Sequence, residues 1–84
     1  MSPEEERDRV IFALDRAVEE AQSFAHGDHA HFRDLVQRAR EMHDLLLQSM
    51  REHPNLVTHG LDAFVQTTSH QINELELLAG TSRT

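Results

Sequence analysis

The sequence predicts an all-α domain, an antiparallel up-down-up three-helix bundle with a homodimer as an alternative assembly. Apolar residues recur at three- and four-residue spacing along three successive stretches. Gly27-Asp28 and Pro54-Asn55 punctuate the chain between those stretches. No stretch alternates apolar and polar residues with the period of two that a half-buried strand needs.

The first helix is expected over residues 3–26. Ser2-Pro3-Glu4-Glu5 reads as a capping box, with the Ser2 hydroxyl accepting from the first turn, Pro3 preset at the first helical position and Glu5 reaching back. Val10, Leu14, Ala17, Val18, Ala21, Phe24 and Ala25 share one stripe, and Arg9, Asp15, Arg16, Glu19 and Glu20 lie off it. Gly27 is expected to end this helix as a left-handed cap.

Asp28 is expected to cap a second helix over residues 29–52, with Phe32, Leu35, Val36, Ala39, Met42, His43, Leu46 and Met50 inside and Pro54 stopping it. A third is expected over residues 55–79, capped by Asn55 and closed by Gly80. Its stripe is Val57, Leu61, Phe64, Val65, Thr68, Ile72, Leu75 and Leu78. Because Gly60 costs about 1 kcal/mol relative to alanine inside a helix, residues 54–60 as a loop are the alternative. Three rods of about 36 Å joined by short connections pack as antiparallel neighbours. They form a single domain over residues 1–80, with 81–84 expected to be a disordered tail.

At 84 residues the chain is near the size below which one apolar core needs help from disulfides, metal or a partner. It has no cysteine, which excludes disulfides and thiolate zinc sites. The longest apolar run is Val10 to Leu14, too short for a signal peptide or a membrane span, so a soluble cytoplasmic protein is expected. All basic residues are arginine, a codon-usage signature of a GC-rich genome, bacterial by expectation, with no bearing on mechanism. The 15 acidic residues outnumber the 8 basic ones and give a net charge of -7. That sign removes the attraction on which nucleic-acid affinity rests, leaving a protein, or a second copy of the chain, as the expected partner.

Seven histidines are the one compositional anomaly. His26, Asp28, His29 and His31 crowd the first turn, and with a fourth ligand such as Glu74 they would suit zinc or nickel. The spacing matches no zinc signature, and solvated polar residues at a turn are the plainer account, so no cofactor is otherwise expected. His53 and His59 flank the second turn, at the opposite pole of an up-down-up bundle. His43 sits in the centre of the second stripe, where a satisfied core histidine competes with a pH sensor. An imidazole buried neutral takes up its proton mainly in the unfolded state, so stability would fall as the pH drops through about 6.5.

Catalytic patterns are sparse. Arg38 and His43 match the arginine-to-histidine spacing of helical ribonucleases of the HEPN class. With 8 arginines and 7 histidines such pairs also arise by chance, and those domains are longer and usually four-helical, so the activity is not carried over. There is no Glu-x-x-His, His-Glu-x-x-His or phosphate-binding glycine loop. Ser69 and His70 are adjacent and diverge by about 100° on a helix. A noncatalytic interaction module is therefore expected, such as an adaptor, chaperone-like subunit, antitoxin or inhibitor. Phe12 lies about 160° around the helix from Leu14, among Asp8, Arg16 and Glu19. Leu45 and Leu77 also fall outside their stripes. These three are the candidate interface residues, with Phe12 and Leu45 expected at similar heights.

Overall fold

The computed structural model describes residues 2–80. Among them it is all-helical: α1 over Pro3–Ser23, α2 over His29–Glu52, a single 3-10 turn over Pro54–Leu56 and α3 over His59–Ala79. The expectation for residues 81–84 lies outside the described residues.

Local chemistry accounts for most of the helix ends. The Ser2 hydroxyl accepts from the Glu5 amide at 3.2 Å, Pro3 occupies the first turn, and Glu4, Glu5 and Glu6 place carboxylates at the positive end of the α1 dipole. Asp28 caps α2 by accepting from the Ala30 amide at 3.3 Å. Gly80 closes α3 in the left-handed conformation, at φ 73°.

Two ends depart from the sequence reading. α1 stops at Ser23 rather than at residue 26, and Gly27 is not a left-handed cap, because Gly80 is the only described residue with positive φ. The helix ends through Phe24, whose amide reaches the Glu20 and Ala21 carbonyls, and the Gly27 amide closes the next turn on the Phe24 carbonyl at 3.0 Å. α3 starts four residues later than expected, capped by Thr58, which accepts from the Leu61 amide at 3.1 Å, and not by Asn55. Asn55 lies in the 3-10 turn, so the loop alternative for 54–60 holds through Thr58 while Gly60 is helical. An extended β-branched threonine directly before the turn satisfies an amide that Asn55 could serve only by winding Val57 and Thr58 into the helix.

The core consists chiefly of Leu14, Phe32, Val36, Leu46 and Ile72, all fully buried, with Ala17, Ala21 and Ala39 admitting close approach of the backbones. α2 packs against both other helices, and α1 meets α3 along a smaller contact. Three residues expected inside are exposed: Phe24, Val57 and Leu78. Phe24 and Val57 lie beyond the helix ends that were expected to carry them inward. Leu78 is displaced because the buried line of α3 runs Ile72, Leu75, Ala79, and Ala79 takes the last inward position.

Besides the contact of His43 in α2 with the Val65 carbonyl of α3, polar contacts tie the helices together at two places. Arg40 of α2 holds Glu76 of α3 side-on, donating from Nη2 at 2.6 Å and Nε at 3.2 Å, and its Nη2 also donates to Asn73 at 2.8 Å. The hydrogen bond to Glu76 raises the Arg40 guanidinium above its ordinary value against the opposing effect of burial, with the Glu76 and Asp44 charges adding to the rise. Arg7 donates to the Leu56 carbonyl at 3.1 Å and so fastens the α2–α3 connection to α1.

Candidate interaction surface

Phe12 is 66% exposed on the outer side of α1. It borders a groove with Ala13, Arg16 and Ala17 of α1 and Arg38 and Met42 of α2. The Arg16 guanidinium stands over the Phe12 ring at 6.0 Å from its centroid, within range of a cation–π contact. Leu45, 47% exposed, borders a second groove with Glu6 and Val10 of α1 and Ser49 and Glu52 of α2. The structure therefore puts both residues along the α1–α2 seam but in separate grooves. Leu77, 64% exposed, lines neither of these grooves.

A third groove, between Arg7 and Ile11 of α1 and Thr58, Gly60, Leu61 and Phe64 of α3, is mostly apolar. Phe64, expected inside the α3 stripe, is half-buried and forms part of this groove. The periodicity held the signal: Phe64 sits about 60° around α3 from Leu61 and Ala79, at the edge of the buried line.

The first-turn histidines do not converge. His26, Asp28, His29 and His31 are all exposed, and among the described residues no group of three or more His, Asp or Glu side chains is placed to hold a metal ion. Each finds a local role or solvent instead. Asp28 caps α2, His31 meets the Phe24 ring edge-on with centroids 4.9 Å apart, and Glu74 lies 3.1 Å from His70 one turn away on α3.

His43 is 3% exposed, between α2 and α3. Its Nε2 lies 3.3 Å from the Val65 carbonyl, which also accepts from the Thr68 hydroxyl at 3.1 Å. The carbonyl can only accept, so this contact requires the tautomer with hydrogen on Nε2. Nδ1 then presents a lone pair, and it has no hydrogen-bond partner. Arg38 is exposed beside Phe12 while His43 points inward, so the two residues of the ribonuclease-like spacing do not face a common site.

Comparison with protein-family models, curated proteins and solved structures finds no match for this chain. No helix among the described residues is long and apolar enough to cross a membrane.

Proposed function

We propose that this chain is a noncatalytic protein-interaction module acting in the cytoplasm, and that it docks a partner through the outer faces of its helices. The observation that carries this reading is Phe12: a large aromatic left 66% exposed although the core is closed without it. Aromatic side chains are enriched among interface anchors, where a few residues carry most of the binding energy. Leu45 in the neighbouring groove extends the same seam. The reading includes an antiparallel, up-down-up order of the helices. It is supported by the groove linings, in which early α1 residues Glu6 and Val10 accompany late α2 residues Ser49 and Glu52, and Ala17 and Glu20 accompany Arg38.

Cross-linking and capture from the native organism test it, with Phe12→Asp and Leu45→Arg as comparisons. Both substitutions are expected to abolish partner capture, or self-association if the partner is a second copy. The melting temperature should stay within a few degrees, since surface changes usually cost under about 0.5 kcal/mol. Retention of every parental interaction by both folded variants would reject this surface.

His43 favours a second reading, a pH-responsive module. Its Nδ1 is buried without a hydrogen-bond partner. Melts of the parent and of His43→Leu recorded across the acid range test this reading. Parallel profiles would reject the histidine as the cause.

A further inference from the structure

The α1 face that carries Phe12 also carries an excess of carboxylates. On a helix advancing about 100° per residue, Glu5, Asp8, Asp15 and Glu19 all fall within about 60° of Phe12. Only Asp8 of these four is in an ion pair among the described residues, with Arg7 at 3.1 Å. Arg9 and Arg16 occupy the same sector and offset half of that charge, and the whole chain carries -7. Arg16 shows what the ring attracts: a guanidinium lies over its face within the same molecule.

From this juxtaposition we infer that the outer face of α1 docks a cationic protein partner, one presenting an apolar pocket for Phe12 beside arginine or lysine side chains that pair with Glu5, Asp15 and Glu19. The inference rests on the interaction-module reading and names its partner's chemistry. Charge decides against the other occupants. A second copy would bring the same excess of carboxylates against itself at -7 per chain, and nucleic acids and anionic membranes are repelled. Removing water from the free carboxylates becomes favourable only where an opposite charge replaces it.

The test uses the full chain, isotopically labelled for amide NMR. It is titrated with a synthetic amphipathic helix of about 18 residues bearing leucine on one face and arginine on the other. A leucine–glutamate peptide of the same length is the control. Saturable shifts centred on residues 5–19 are expected with the arginine peptide alone, weakened roughly tenfold or more by Phe12→Ala. The paired reversal Asp15→Arg, Glu19→Arg should weaken binding similarly and keeps the inference testable if Phe12→Ala fails to fold. Raising salt from about 0.1 M to about 1 M shortens the screening length from about 10 Å to about 3 Å and should abolish the interaction.

Equal binding of the glutamate peptide, shifts centred on α2 or α3, indifference to the reversed carboxylates, or self-association of the chain through Phe12 would each overturn the cationic partner. If the arginine peptide fails while Phe12→Asp still abolishes capture from cells, only the partner's chemistry is wrong. If neither depends on Phe12 or Leu45, the interaction-module reading fails as well.

Discussion

Phe32→Ala is expected to destabilise the domain by about 3 to 5 kcal/mol, the range for removing a buried phenyl ring and leaving its cavity. Phe32 is fully buried at the start of α2 and is among the largest side chains of the core. Small domains have total stabilities at the low end of about 5 to 15 kcal/mol, so this one change is expected to unfold a large share of the protein. Urea titration followed by circular dichroism measures it, with Leu14→Ala and Ile72→Ala expected to cost about 2 to 5 kcal/mol each. Phe12→Ala is the contrast, a phenyl ring lost from the surface at under about 0.5 kcal/mol. Equal effects at Phe12 and Phe32 would mean that the assignment of inner and outer faces is wrong.

His43→Asp is expected to be comparably damaging, by about 3 kcal/mol or more, because it buries a carboxylate beside the Val65 carbonyl, an acceptor that cannot pair with it. His43→Leu should be close to neutral. It gives up one hydrogen bond of about 1 kcal/mol, but it also removes a buried nitrogen without a partner, and the Val65 carbonyl still shares the Thr68 hydroxyl with the Phe64 carbonyl. The two variants separate burial from hydrogen bonding in a single melting experiment. Severe loss in His43→Leu would show that the histidine's contact with Val65 holds α2 to α3.

Much of the fold was legible because it is written in local rules. The caps at Ser2, Asp28 and Gly80 are side-chain or backbone choices made within one turn, and the structure places each of them, with only the Ser2 half of the expected capping box formed. The inner stripe of α2 emerged almost complete, since 24 consecutive helical residues give the three- and four-residue spacing room to show itself. Phe12, Leu45 and Leu77 were recognisable as misplaced by the same periodicity, and all three are exposed. The errors cluster where rules compete. Asn55 and Thr58 are both competent caps, and Gly27 and Phe24 both permit a helix end.

What the sequence by itself determined is the helical class, the three apolar stripes and the acidic charge, because each follows from residue identity at fixed spacing along one chain. What the tertiary structure decided is everything that depends on which faces meet. Phe12 and Leu45 border different grooves, Arg40 finds Glu76 across 36 positions of sequence, and His43 faces the Val65 carbonyl with its second nitrogen unsatisfied. The physical reason is that helix rotation and axial offset are set by the fit of side chains from separate helices. Periodicity names the buried side of each rod, but not the residue that will lie opposite it.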